Sequence, residues 1–186
     1  MRRAILPSLS LVVLAGCGDM FGTKDAHHPG TQLGSFHVTA SRTSNSCGEG
    51  ALGTSSSWEF DVRLARQDTE IFWDNGAEII TGALAADGVS FSFQSGVAVD
   101  MRTEEDVGMP PCSVNRTDTA TGALDSAEEP VHSFTGNLGY AFAPAMDAQC
   151  DDLVTPPPGR TQVFAALPCA MAFDLSAVGD GKAPAQ

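Results

Sequence analysis

The feature of this chain that most restricts its fold is a strict alternation of apolar and polar residues. Apolar side chains occupy every second position from Trp58 to Leu64, and Glu59, Asp61 and Arg63 lie between them. Because successive side chains of a β-strand point to opposite faces, this pattern predicts a strand with one buried face and one solvated face. The chain has almost no comparable stretch at helical period, so the sequence predicts an all-β domain.

Short turn signals divide the region after Trp58 into strands. Asn75-Gly76 and Asp87-Gly88 tolerate the positive φ that a two-residue type I′ hairpin turn requires, and Gln67-Asp68 is interpreted as a third such turn. Each turn fixes which residues of neighbouring strands face each other. The predicted pairs are Leu64 with Ile71, Val62 with Trp73, Ile71 with Ile80, Leu84 with Phe91, and Gly82 with Phe93.

All three turns assign the large apolar residues to the same side of a four-stranded meander. The members of this face are Trp58, Phe60, Val62, Leu64, Ile71, Trp73, Ile80, Leu84, Val89, Phe91 and Phe93. The same parity continues through Val97, Val99 and Met101. It therefore predicts one long strand over residues 89–102 rather than a further hairpin at Ser95-Gly96.

Further alternations add one strand before this meander and three after it. Phe36, Val38 and Ala40 mark the strand before the meander. The three strands after it are residues 112–124, residues 131–143, and a last strand that contains Met171 and Phe173 and ends near Leu175. Eight antiparallel strands joined mostly to their neighbours predict an up-and-down barrel, with a two-sheet β-sandwich as the alternative. In the barrel, the long connections 42–57, 103–111 and 144–162 fall at one end.

The N-terminus carries a targeting signal. Arg2 and Arg3 precede an apolar run over residues 4–14, which ends in Leu14-Ala15-Gly16-Cys17. This run is shorter than the roughly 20 apolar residues of a membrane-spanning helix. It resembles the signal of bacterial lipoproteins, and the resemblance implies cleavage before Cys17 and acyl chains such as palmitate on that cysteine. The small Gly18 after Cys17 is similar to lipoproteins of the outer membrane, which implies a lipid-anchored envelope protein.

Cleavage at this position would leave a strongly acidic chain. Eight basic residues then stand against 23 acidic ones, a formal charge of −15. This charge argues against nucleic acid as a partner and against docking of the domain on an anionic bilayer, so the predicted membrane contact is made by the acyl chains alone. The predicted organisation is a signal peptide at residues 1–16, a flexible tether at 17–30, one β domain at 31–175 and a flexible tail at 176–186.

Four further cysteines lie in the predicted domain. Export to an oxidising compartment and an even count favour two disulfides, and the wide spacing argues against a zinc site or a Cys-x-x-Cys redox site. All four fall at the long-loop end of the predicted barrel. Neighbouring strands favour Cys47 with Cys169 and Cys112 with Cys150, while Cys150 with Cys169 is an alternative.

No catalytic or cofactor-binding motif occurs in the sequence, and no cofactor is expected. His37 is assigned to the polar face of the first strand, His132 to the barrel rim opposite the cysteines, and His27-His28 to the tether. A weak candidate for calcium is formed by carboxylates predicted at one end of the barrel. These are Asp100, Glu104, Asp106, Asp147 and Asp151.

The aromatic residues of the predicted inner face suggest either a filled core or a pocket for a small apolar ligand. The candidate pocket residues are Trp58, Phe60, Trp73, Phe91, Phe93 and Tyr140. The strand pattern is loosely similar to lipocalin-like barrels, a likeness of fold that carries no function. The sequence favours a non-catalytic lipid-anchored protein that binds such a ligand, or an envelope partner, through the long-loop end. A surface hydrolase with paired carboxylates and a purely structural lipoprotein are the alternatives.

Overall fold

The computed structural model describes residues 30–103 and 106–180, apart from the side chain of Leu52. The predicted signal peptide, Cys17 and residues 18–29 of the predicted tether, with His27 and His28, lie outside these ranges, as does Glu104. Within the described ranges, no helix has both the length and the apolar character needed to cross a membrane.

Eight antiparallel strands form one closed barrel in which each strand pairs with its neighbours in the chain and the last pairs with the first. The strands are β1 (Thr31–Asn45), β2 (Ser57–Gln67), β3 (Glu70–Asp74), β4 (Ile79–Leu84), β5 (Ser90–Asp100), β6 (Ser113–Leu124), β7 (Ser133–Pro144) and β8 (Cys169–Gly179). Two four-residue helices, α1 (Glu49–Leu52) and α2 (Asp151–Val154), lie in the long connections. The predicted all-β up-and-down barrel is confirmed, and the sandwich alternative is wrong.

The inner face of the barrel is the face that the alternation predicts. Seven of its predicted members in β2 to β5 are buried, namely Val62, Leu64, Ile71, Trp73, Leu84, Phe91 and Phe93. The other four, Trp58, Phe60, Ile80 and Val89, are partly buried against the same core. The centre of this core holds the fully buried rings of Phe36 and Phe134, whose centroids lie 5.4 Å apart.

The strand register differs from the prediction at two of the three turns. Leu64 lies opposite Trp73 instead of Ile71, and Trp73 lies opposite Ile80, because the connections lie one or two residues further along the chain than predicted. The prediction for Leu84 opposite Phe91 is confirmed. Both errors shift the register by two residues, an even number, so every side chain keeps its predicted face.

The strand after Asp87-Gly88 runs without interruption, as predicted, so Ser95-Gly96 is not a hairpin turn. Val97 and Val99 nevertheless are 49% and 41% exposed, although they have the parity of the inner face. The reason is that β4 pairs with β5 only as far as Ala83 opposite Ser92. In the described structure, no strand on that side covers the second half of β5.

The last strand continues past its predicted end near Leu175. β8 ends at Gly179, and Ala177 is 1% exposed and lies opposite both Val38 and Phe134. Residues 176–179 therefore belong to the barrel and not to the predicted tail.

Two disulfides join elements at the long-loop end. Cys47 bonds to Cys169, and Cys112 bonds to Cys150, as neighbouring strands favoured. The pairing of Cys150 with Cys169 is therefore wrong. The long connections also cover this end of the barrel, where Phe164 is buried and its ring lies 5.5 Å from that of Phe142.

Candidate ligand-binding cavity

The barrel wall has a gap between β2 and β5, which arises from unequal strand lengths. β3 and β4 have five and six residues, whereas β2 and β5 have eleven each. β2 pairs with β3 only from Arg63 to Gln67, so in the described structure residues 57–62 pair with β1 alone. The second half of β5 likewise pairs with β6 alone.

A cavity of about 410 Å³ lies inside the barrel behind this gap. It is lined by residues of β2 to β7 and of the connection between β3 and β4: Trp58, Phe60, Trp73, Asn75, Ala77, Glu78, Ile80, Phe93, Gln94, Ser95, Arg116, Asp118, Thr119, Ala120, Leu138 and Tyr140. None of the described residues of the long connections belongs to this lining. The lining residues at the start of β2 and in the connection between β3 and β4 place the cavity beside the gap, in the half of the barrel that is nearer the long-loop end.

Five aromatic rings form the apolar part of the cavity wall. The centroid distances are 6.4 Å from Trp58 to Tyr140, 6.2 Å from Phe60 to Trp73, and 5.5 Å from Trp73 to Phe93. The structure thus brings five of the six predicted pocket residues to one cavity. The sixth, Phe91, is 4% exposed and lies deeper, with its ring 5.6 Å from those of Phe93 and Phe134.

An ion pair of β6 contributes the paired charges of the polar part of the wall. Arg116 donates to both carboxylate oxygens of Asp118, from Nε at 2.7 Å and from Nη2 at 2.5 Å. The same guanidinium lies over the ring of Tyr140, 5.5 Å from its centroid. These hydrogen bonds raise the pKa of Arg116 above its ordinary value, while burial raises that of the Tyr140 hydroxyl.

Sequence reasoning missed this pair, although its parity was visible. Arg116 and Asp118 alternate in step with Val114 and Leu124, whose buried side chains mark the inner face of β6. A charged residue at an inward position of a strand departs from the usual pattern of a small barrel filled by apolar side chains. That departure is the signal for a polar cavity wall.

The predicted histidine positions lie away from the cavity. His37 lies on the outer face of β1, where its Nδ1 is 2.8 Å from an oxygen of Asp61 and its Nε2 is 3.5 Å from Glu59. His132 is exposed, and its backbone N–H donates to Asp125. Among the described residues, neither histidine is hydrogen-bonded to the side chain of a Ser, Thr or Cys.

The carboxylates proposed for calcium do not form a site. Asp106 accepts hydrogen bonds from the Thr103 backbone and pairs with Arg160, which lowers its pKa to about 2. Asp100 accepts from the backbone N–H of Arg102. In residues 30–103 and 106–180, no three or more His, Cys, Asp or Glu side chains are grouped to hold a metal ion. Asp147 and Asp151 therefore join no such group, and Glu104 lies outside these ranges.

A second hollow of about 480 Å³ lies at the end of the barrel opposite the disulfides. Its lining comes from the chain around Gly30 and the tight turns after β2 and β4, and Leu84 is its one large apolar side chain. Arg66, which also lines it, donates to the backbone oxygen of Ala127. This hollow has no aromatic wall, so the cavity behind the gap is the stronger candidate.

Comparison with protein-family models, with curated proteins and with solved structures finds no match to this chain.

Proposed function

We propose that this chain is a non-catalytic, lipid-anchored protein of the bacterial envelope that takes a small ligand into the side cavity of its barrel. The observation that carries the ligand-binding proposal is a cavity of about 410 Å³ with five aromatic rings in its wall. Pockets of roughly 300–1,000 Å³ with mainly apolar walls and a few polar groups are typical of small-molecule sites. The polar groups here are those of Asn75, Glu78, Gln94, Ser95, Arg116, Asp118 and Thr119.

The contrast with the rest of the interior supports this proposal. Below the cavity, Phe36, Phe134 and Leu64 are fully buried and fill the barrel. A barrel with a merely structural role gains stability from filling its whole interior, because each unfilled volume forfeits packing contacts. A cavity that is open to solvent in an otherwise filled barrel therefore favours binding over a purely structural role.

A hydrolase remains the alternative, favoured by one observation. Glu78 and Asp118 line the same cavity, and paired carboxylates perform general acid and base catalysis in glycoside hydrolysis. However, both oxygens of Asp118 accept hydrogen bonds from Arg116. A carboxylate held in this way is occupied as an ion-pair partner, so binding without turnover is the better supported function. Release of nitrophenol from nitrophenyl glycosides, abolished by Glu78→Gln, would instead identify the hydrolase.

Ligand entry can be tested with a neutral apolar fluorophore, N-phenyl-1-naphthylamine. The full chain carrying Cys17→Ser keeps acyl chains and membranes out of the assay. We expect saturable binding with enhanced probe fluorescence. Ser95→Trp, which places an indole in the cavity wall, should weaken binding at least tenfold.

The matched control is Ala98→Trp, an exposed position on the outer face of the same strand that does not line the cavity. This variant should bind the probe as tightly as the parent chain. Absence of saturable binding, or equal affinity in both variants, would contradict ligand binding in the cavity.

The anchor is tested separately from the cavity. Expression of the full chain in a bacterium should give a mature protein whose N-terminal residue is an acylated Cys17, detected by mass spectrometry of the N-terminal peptide. Cys17→Ser should abolish the acylation. An unmodified N-terminus at another position would refute the lipoprotein proposal and leave the cavity proposal standing.

A further inference from the structure

The formal charge of the cavity wall is negative. Arg116 is the only basic residue in the lining, and Asp118 neutralises it through two hydrogen bonds. The lining holds a second carboxylate, that of Glu78, so two acidic groups stand against one basic group. Glu78 also lies close enough to interact electrostatically with Arg116. A ligand in the cavity therefore meets a net negative potential.

The aromatic rings of the wall also favour a positively charged ligand. The face of an aromatic ring carries partial negative charge, and several rings together can bind an organic cation without a direct ion pair. Trp58, Trp73 and Tyr140 supply the rings that bind cations best, and Phe60 and Phe93 complete the wall. The guanidinium of Arg116 above Tyr140 demonstrates that one ring of this wall already accepts a cation.

An anionic ligand meets the opposite conditions. The N–H groups of Arg116 that Asp118 leaves free could donate to an anion, but that anion would be repelled by the nearby carboxylates of Asp118 and Glu78. The whole chain carries a formal charge of −13, which also slows the approach of anions at low ionic strength. Fatty acids and other carboxylates are therefore poor ligands, although an apolar barrel would otherwise suit their chains.

We infer that the cavity is selective for small organic cations, that is, amines or quaternary ammonium groups attached to an aromatic or compact apolar body. This inference rests on the proposed ligand-binding function and adds the charge of the ligand. The positive group would face the rings of Trp58 and Trp73 and the carboxylate of Glu78, because Arg116 already lies over the ring of Tyr140. The apolar body would lie against Phe60 and Phe93.

Three probes of similar shape separate charge from apolar contact: phenyltrimethylammonium, its neutral carbon isostere tert-butylbenzene, and benzenesulfonate. The chain contains two tryptophans, Trp58 and Trp73, and both line the cavity, so their two indole N–H signals in NMR spectra report occupancy directly. In titrations of the full chain carrying Cys17→Ser, we expect the cation to bind at least tenfold more tightly than the neutral isostere. Benzenesulfonate should give no saturable shift.

A charge variant tests the role of the wall. Glu78→Gln should weaken binding of the cation about three- to tenfold and leave binding of tert-butylbenzene unchanged. Glu70→Gln removes the same charge from an exposed residue of β3 outside the cavity and should change neither affinity.

The outcomes distinguish this inference from the proposal on which it rests. Equal binding of the cation and the neutral isostere, or tighter binding of benzenesulfonate, would overturn cation selectivity and leave ligand binding intact. Failure of all three probes and of N-phenyl-1-naphthylamine would overturn both. A tenfold preference for the cation that Glu78→Gln reduces and Glu70→Gln does not would support both.

Discussion

Successive side chains along each strand of this barrel face alternately inward and outward, and a few polar side chains occupy inward positions. Arg116 and Asp118 lie at inward positions, where an unpaired charge would be costly. Each satisfies the other through two hydrogen bonds, and Tyr140 covers the guanidinium from one side. The pair therefore keeps two charged side chains in the cavity wall, each with a hydrogen-bonding partner. A site that binds both an apolar and a polar part of one ligand needs such polar side chains in its wall.

On the outer face, the neighbouring carboxylates determine the direction in which the pKa of His37 is shifted. The hydrogen bond to Asp61 is the main reason why the pKa of His37 is raised, and the charge of Glu59 adds to it. Because the folded pKa is above the unfolded value of about 6.5, this contact stabilises the fold below that pH, and the contribution is lost as the pH rises through the raised pKa. Asp61→Asn should lower the pKa of His37 towards its ordinary value, as measured by NMR titration of the ring protons.

Glu59→Gln serves as the comparison for that titration. Since Glu59 lies further from the ring than Asp61 does, its removal should lower the pKa of His37 by less. A larger effect of Glu59→Gln than of Asp61→Asn would contradict the assignment of the hydrogen bond as the main cause.

At the scale of strands and turns, the period-two pattern predicted the faces correctly and the register only in part. Asn75-Gly76 was predicted to form a two-residue turn, but the connection spans residues 75–78. The side-chain oxygen of Asn75 accepts from the backbone N–H groups of Ala77 and Glu78, and that of Asp74 accepts from Gly76. These local hydrogen bonds lengthen the turn. The alternation of apolar residues is unchanged by a shift of two, so no periodicity argument distinguishes the two registers.

The cavity was less accessible to sequence reasoning than the faces were. Five of its aromatic residues were predicted as one set, because parity alone brings them to the inner face. Its position was not predicted, since it depends on where β3 and β4 end relative to β2 and β5. The positions of those strand ends depend on the turn at Asn75 and on how the strands pair in three dimensions. An alternating sequence pattern predicts neither of these.

Close contact between neighbouring strands explains one glycine of β6 and yields a test. A Cβ at Gly122 would lie 2.5 Å from Cζ of Phe91 and 2.5 Å from the backbone oxygen of Thr135. Gly122→Ala should therefore lower the free energy of unfolding by about 1–3 kcal/mol, through displacement of a core ring. Urea unfolding followed by circular dichroism measures this difference.

Gly96 on β5 is the matched control. The atom nearest to a Cβ added at this position is the backbone oxygen of Arg116, at 3.7 Å, which is an ordinary contact distance. Gly96→Ala should change the free energy of unfolding by less than about 0.5 kcal/mol. Equal destabilisation by the two substitutions would show that the contact with Phe91 is not the cause.

For the whole molecule, the two disulfides lie at the end of the barrel where the wall is incomplete. Cys47–Cys169 joins the connection after β1 to the start of β8 across 122 residues of sequence, and Cys112–Cys150 spans 38. Both therefore hold the long-loop end together while the short β3 and β4 leave the gap to the cavity open. Each bond lies next to strands that already pair, β1 with β8 and β6 with β7, and neither bond spans the gap between β2 and β5.

The two bonds should stabilise the fold unequally. A disulfide restricts the unfolded chain more when it closes a longer loop, so removing Cys47–Cys169 should lower the free energy of unfolding by about 1 kcal/mol more than removing Cys112–Cys150. The comparison uses Cys47→Ala with Cys169→Ala against Cys112→Ala with Cys150→Ala, each unfolded in urea with the other bond intact. All four cysteines are buried, so each pair of substitutions also removes packing contacts in addition to the bond. A greater loss from the shorter loop would mean that local packing around Cys112 and Cys150, and not restriction of the unfolded chain, dominates their contribution.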